Sequence, residues 1–204
     1  MDIVEGIPGI EKLDTRAIVW MQRMYSHWAA VAVRKQVDRD TRTVSLRRLL
    51  TAVATQPNLI TRSEYVSRAK SSRDPTTEYG AMELKDLRDY MHRSFDEFLG
   101  VGVDELTADA VALDLAALDD AARSIQHFVN NTVAHRNRSL RPSATWDNLN
   151  GAIDTILRLL RKYNALLDAG EAPDPVPVYQ YNWKAIFRVP WLPDPRSTGR
   201  APPR

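Results

Sequence analysis

Cysteine is absent from this sequence of 204 residues. Its absence excludes a disulfide scaffold, a thiolate metal site and a cysteine nucleophile. Long apolar runs are missing as well, because no stretch approaches the roughly 18 residues that a membrane-spanning helix needs. Residues 1–5 also lack the basic and apolar regions of a secretory signal. We therefore expect a cytoplasmic protein with no membrane partner. With a net charge of only +2, any contact with nucleic acid must come from local basic patches.

Proline is scarce in the first 170 residues and frequent after them. Most of the 12 prolines lie between Pro173 and Pro203. This shift predicts a helical domain over residues 1–170 and a Pro-rich C-terminal arm over residues 171–204, partly docked and partly disordered. Aromatic residues recur every four positions in the arm, which favours docking onto the body or a partner subunit over stacking on bases. These residues are Trp183, Phe187 and Trp191.

Strand signals are nearly missing, whereas helical periodicity recurs along the body. In the first helix, large apolar residues that include Tyr25, Trp28 and Val31 recur at helical spacing. They are expected to form the apolar face that packs on the core. A short helix is expected to start near Thr61 or Ser63. The first helix is predicted over residues 14–37. The other predicted helices cover residues 45–50, 81–99, 107–133 and 146–167. The predicted fold is an all-α antiparallel bundle of five or six helices.

Most catalytic signatures are missing, including a Gly-rich phosphate loop, a nucleophile elbow and a metalloprotease His–Glu pair. Polar residues concentrate instead at one helix end, where His127, Asn131 and His135 recur at i, i+4 and i+8. They would share a face if the helix continues. The arginines that follow directly are Arg136, Arg138 and Arg141. This combination suits a phosphodiester, because guanidinium groups hold phosphate oxygens while an imidazole moves protons.

Other interpretations of this helix end stay open. The histidines and arginines could form an exposed polar strip, because cations near a helix C-terminus complement the helix dipole. A metal ion shared by histidines would lack a third ligand at helical spacing, so no metal is expected. Spacing alone does not separate the polar strip from a phosphate site.

Residues 130–137, Asn-Asn-Thr-Val-Ala-His-Arg-Asn, resemble the signature of HEPN-domain proteins. That signature is an Arg, usually a polar residue next, then three to five residues and a His. The chain is similar to the AbiU-like abortive-infection branch of this superfamily. Residues 38–50, 163–167 and 183–191 add to the likeness, which covers most of the chain from about Trp20 to Trp191.

The resemblance implies a helical bundle that forms a homodimer, in which two signature helices meet at a composite cleft. It implies RNA as a partner, no cofactor, and a role in phage defence or in a toxin–antitoxin system with a cognate antitoxin protein. Active members look like metal-independent endoribonucleases. Carried over, His135 takes the acid–base role, Asn131 the polar position and Asn130 the position of the Arg. The additional RNA contacts expected are Arg136, Arg138, Arg123 and His127.

Asn130 departs from the family pattern, because an amide brings no positive charge. Losing one preorganised donor at a developing oxyanion costs about 10²–10³ in rate. The site is therefore expected to be either a weak endoribonuclease, with Arg136, Arg138 or Arg123 compensating, or a degenerate site that only binds RNA. The alternative is a non-catalytic helical module that binds RNA, a nucleotide or a protein.

Two further charged groups have simpler explanations. Basic residues around the first two helices alternate with Asp38 and Asp40, which favours surface ion pairs over contact with an RNA backbone. These basic residues are Arg34, Lys35, Arg39, Arg42, Arg47 and Arg48. A second group lacks metal-ligand spacing and is expected to be a solvated helix face. Its members are Asp104, Glu105, Asp109, Asp114, Asp119 and Asp120.

Overall fold

A computed structural model of the chain describes residues 15–134 and 144–168. The chain divides into two units, one made of Met1–Arg23 with Pro177–Arg204 and the other of Met24–Val176. Of the first unit, only residues 15–23 are described, as the beginning of the first helix. The predicted domain boundary near residue 170 and the aromatic residues of the arm lie outside the described residues.

Six α-helices make up the described part of the chain, which contains no β-strand. Their bounds are α1 Thr15–Gln36, α2 Leu46–Thr55, α3 Arg62–Ser67, α4 Glu78–Leu99, α5 Ala108–Phe128 and α6 Trp146–Asp168. A 3₁₀ turn at Pro57–Leu59 follows α2, and a π-helical turn at Val129–Ala134 extends α5. The prediction of an all-α bundle of five or six helices is confirmed. No helix among the described residues combines the length and apolar character needed to cross a membrane.

Side-chain caps fix where the helices begin. Each helix from α2 to α6 is preceded by a Ser or Thr whose hydroxyl accepts a backbone N–H of the first turn. These caps are Ser45, Thr61, Thr77, Thr107 and Thr145. Of the two candidates for the start of α3, the structure selects Thr61 over Ser63. Helix α4 ends at Gly100, whose φ of 103° favours a residue without a Cβ.

Helix α5 lies at the centre of the core, where it packs against both α2 and α6, while α3 packs against α4. The largest fully buried side chains include Tyr163 of α6 and Phe95 of α4. Arg62 ties α3 to α4, because its Nη2 lies 2.6 Å from Oδ1 of Asp96 and its guanidinium lies over the Phe95 ring.

The prediction that the large apolar side chains of α1 pack on the core is wrong. Tyr25, Trp28 and Val31 are exposed, and the buried residues of this helix are small or β-branched. Ala29, Ala30 and Val33 are buried, as is Val37 directly after the helix. Helix α1 is apolar on two sides, and the side with the small residues is the buried one. The larger side chains therefore face outward.

Candidate functional site

The segment that carries the candidate site begins where α5 changes its hydrogen-bonding pattern. The π-helical turn Val129–Ala134 holds Asn130 and Asn131. Such turns use i→i+5 hydrogen bonds, are rare, and occur frequently at functional sites. His135, Arg136 and Arg138, which were predicted to act in this site, lie outside the described residues.

Asn130 is held by an arginine from a distant part of the sequence. The Nε of Arg34, in the last turn of α1, donates a hydrogen bond of 3.0 Å to Oδ1 of Asn130, and both side chains are exposed. No carboxylate among the described residues forms an ion pair with Arg34, whose charge is therefore not neutralised within this part of the chain. A guanidinium thus stands beside the first asparagine of the π-helical turn.

Asn131 and His127 remain on successive turns, as their spacing predicts. The amide nitrogen of Asn131 donates to the backbone carbonyl of His127 at 2.9 Å. One donor of Asn131 is therefore committed to its own helix, while the His127 side chain is exposed. His135, which was predicted to share this face, lies outside the described residues.

Arg123, a predicted RNA contact, lies one turn before His127 on α5. Its Nη1 is 3.0 Å from Oδ1 of Asp120, three residues earlier, and both side chains are more than two-thirds exposed. Exposed pairs of this kind contribute about 0–1 kcal/mol. Asp120 thus partly neutralises the Arg123 charge, and a phosphate contact at Arg123 would compete with this ion pair.

Aromatic contacts fix α1 between the end of α5 and the start of α6. The His27 ring lies 5.8 Å from the Phe128 ring, measured between centroids. On the other flank, Tyr25 stacks on Trp146 with centroids 6.1 Å apart and ring planes inclined by 17°. The side of α1 between these two contacts carries Trp28, which is 72% exposed.

Three of the six basic residues around the first two helices form ion pairs, as expected. Arg42 pairs with Asp40 at 2.7 Å, and this hydrogen bond lowers the pKa of the Asp40 carboxyl. Arg47 makes a close ion pair with Asp119, and Arg39 lies 3.6 Å from the same carboxylate. This interpretation is wrong for Arg34, which donates to the side-chain amide of Asn130, and for Arg48, which donates to the backbone carbonyl of Thr43.

The expectation of a solvated acidic face is wrong for Asp114. This residue is 8% exposed, and its Oδ2 lies 2.7 Å from Nζ of Lys162 and 3.0 Å from the hydroxyl of Tyr163. Burial, together with the charge and hydrogen bond of Asp114, raises the pKa of Tyr163 well above its ordinary value. This cluster joins α5 to α6 and is structural.

No group of three potential metal-ligating side chains occurs within the described residues.

An open cleft of about 850 Å³ lies elsewhere, at the start of α3. Its lining includes Ser63, Arg88 and His92. Arg62, which also lines it, is engaged by Asp96 and Asp104 at 2.6 and 3.1 Å. None of the residues predicted for the site lines this cleft.

The contact of Arg34 with Asn130 and the exposure of Tyr25 and Trp28 were not predicted from the sequence. A usable signal was present, because α1 contains no Asp or Glu and its last turn carries Arg34 and Lys35. A helix without acidic residues cannot neutralise its own cations, which makes them available to other partners.

Comparisons with known proteins give no relative for this chain. No protein-family model, no curated protein and no solved structure matches it.

Proposed function

We propose that this protein binds RNA at the surface where the end of α1 meets the π-helical turn after α5. The hydrogen bond between Arg34 and Asn130 carries the proposal. It places a guanidinium without an acidic partner, among the described residues, beside the segment that resembles the HEPN signature. An arginine in this state attracts the phosphate groups of RNA.

The geometry of this pair favours phosphate binding. The hydrogen bond to Asn130 uses Nε of Arg34, which leaves Nη1 and Nη2 without a partner among the described residues. A guanidinium edge can hold two phosphate oxygens through parallel N–H···O bonds. The hydrogen bond to Asn130 orients an otherwise flexible side chain, which lowers the entropy lost on binding.

A metal-independent endoribonuclease is the second candidate function. Arg34 would supply the positive charge that Asn130 lacks, and His135 would act as the acid–base group. In agreement with the HEPN resemblance, the proposal includes a homodimer with a composite cleft and a role in phage defence or in a toxin–antitoxin system. The Arg34 position favours this candidate, because stabilisation of a phosphorane charge requires a cation near the signature segment.

Binding to a fluorescently labelled single-stranded RNA, followed by anisotropy between about 50 and 200 mM salt, tests the first function. Arg34→Ala should weaken binding at every salt concentration and reduce the salt slope by roughly 0.7, the value for one phosphate contact on a single strand. Arg39→Ala is the matched control, because Arg39 is 78% exposed but pairs with Asp119. No binding by the wild type, or equal effects of both variants, would contradict the proposal.

Cleavage of the same RNA in the presence of a chelator separates the two functions. Cleavage by the wild type that is lost in both His135→Ala and Arg34→Ala would support an endoribonuclease completed by Arg34. Cleavage only by Asn130→Arg would identify a nuclease scaffold that lacks one charge. Binding with no cleavage by any variant would reject the endoribonuclease and leave the RNA-binding function.

A further inference from the structure

Three large aromatic side chains on α1 and at the start of α6 are exposed. Trp28 is 72% exposed, Tyr25 52% and Trp146 40%. These three residues are called the aromatic platform below. Single exposed apolar residues are common on proteins, but grouped large ones mark interaction sites. The aromatic platform is therefore a candidate binding surface.

Two elements build the platform and hold it in place. Tyr25 from α1 and Trp146 from α6 are stacked, with centroids 6.1 Å apart. Trp146 is the first residue of α6, where Thr145 and Asn148 exchange reciprocal capping hydrogen bonds of 3.0 and 3.2 Å. Trp28 lies one helical turn after Tyr25 on α1. The rings are thus presented by rigid elements, which limits the entropy that a ligand must overcome.

The charges on α1, which carries two of the three platform residues, indicate the kind of partner, and Asp147 after Trp146 is the acidic residue in the first turn of α6. Helix α1 contains no Asp or Glu, and its last turn carries Arg34 and Lys35. Lys35 follows Trp28 by seven residues, so both lie on the same side of the helix. An anionic partner with flat apolar groups matches this arrangement, and single-stranded RNA combines phosphates with stackable bases.

We infer that Tyr25, Trp28 and Trp146 stack on the bases of single-stranded RNA whose phosphates contact Arg34 and Lys35. The inference rests on the proposed function and adds to it a preference for single strands over duplexes. In a duplex the bases are stacked on each other and are not available to side chains. Because every base has a π face, the platform does not require a particular sequence.

Equilibrium binding of full-length wild type, Trp28→Ala and Trp28→Phe to a labelled oligouridylate and to a duplex RNA of equal length tests the inference. Loss of one stacked base weakens single-strand binding by roughly 5- to 150-fold. Trp28→Ala should fall in this range, and Trp28→Phe should recover most of the affinity. Tyr90→Ala is the matched control, because Tyr90 is 59% exposed on the acid-rich helix α4. Circular dichroism checks that each variant is folded.

Each outcome distinguishes this inference from the proposed function. Single-strand preference that is lost in Trp28→Ala but kept in Trp28→Phe and Tyr90→Ala supports the platform. Binding reduced by Arg34→Ala but unaffected by Trp28→Ala overturns the platform and leaves the RNA-binding function. Absence of RNA binding by the wild type overturns both. A wild-type dimer that becomes a monomer in Trp28→Ala, with unchanged RNA affinity, identifies the platform as a protein interface and overturns the inference.

Discussion

Arg34 and Asn130, which are 96 residues apart in the sequence, are joined by a hydrogen bond of 3.0 Å from Nε to Oδ1. Replacing the amide by a carboxylate should convert this bond into an ion pair. We expect Asn130→Asp to weaken RNA binding, because the new charge neutralises Arg34 and repels phosphate. Stability should change by no more than about 1 kcal/mol, as for other exposed ion pairs. Anisotropy titrations and urea unfolding measure the two effects.

Asn150→Asp is the control for this prediction. Asn150 is exposed on α6, so the substitution adds the same charge to the protein at another surface position. An equal loss of RNA affinity in both variants would mean that net charge, rather than the Arg34–Asn130 pair, governs binding.

Helical periodicity predicts the extent of α1 but not which of its faces is buried. Helical spacing correctly predicts a helix over residues 14–37, of which the structure describes Thr15–Gln36. It assigns the wrong face to the core, because Trp28 and Val31 carry more apolar surface than Ala29 and Ala30. Hydrophobicity alone ranks the larger side chains as buried, whereas in the structure the small ones are buried and the larger ones are exposed.

The candidate site could be predicted only in part for a similar reason. Asn130 and Asn131 are neighbours in the sequence and share the π-helical turn Val129–Ala134. The partner of Asn130 comes from α1, and the pairing of α1 with the end of α5 depends on tertiary packing. No spacing rule connects Arg34 to a residue so far along the chain.

The buried carboxylate of Asp114 should make a large contribution to stability. Asp114→Asn would leave the ammonium of Lys162, which is 13% exposed, without its anionic partner. We expect a loss of about 2–4 kcal/mol in the free energy of unfolding. Asp120→Asn, which affects only the exposed pair with Arg123, should cost less than about 1 kcal/mol. Equal losses in the two urea titrations would argue against a special role for the buried cluster.

The raised pKa of Tyr163 predicts a loss of stability at alkaline pH. Below its ordinary pKa of about 10, the hydroxyl is protonated in both the folded and the unfolded chain, so its contribution is fully present. Above that pH the unfolded chain releases the proton while the folded chain retains it. The contribution then falls by about 1.4 kcal/mol per pH unit.

Tyr163→Phe isolates this effect from the other tyrosines, which are the same in both proteins. Near neutral pH the variant should be less stable by about 1 kcal/mol, because it lacks the 3.0 Å hydrogen bond to Asp114. Above pH 10 the gap should narrow as the wild type loses its advantage. Unfolding titrations at several pH values measure the gap, and a constant gap would contradict the predicted titration.

Two glycines in helices should respond in opposite ways to alanine. A Cβ on Gly80, in the first turn of α4, would collide with the backbone carbonyl of Asp74, whereas a Cβ on Gly151 in α6 meets no atom within 4 Å. Gly80→Ala should therefore cost about 1–3 kcal/mol, because the loop before α4 must move. Gly151→Ala should gain about 0.5–1 kcal/mol from the higher helix propensity of alanine. Thermal unfolding followed by circular dichroism compares them, and a gain in both variants would show that the loop at Asp74 moves at little cost.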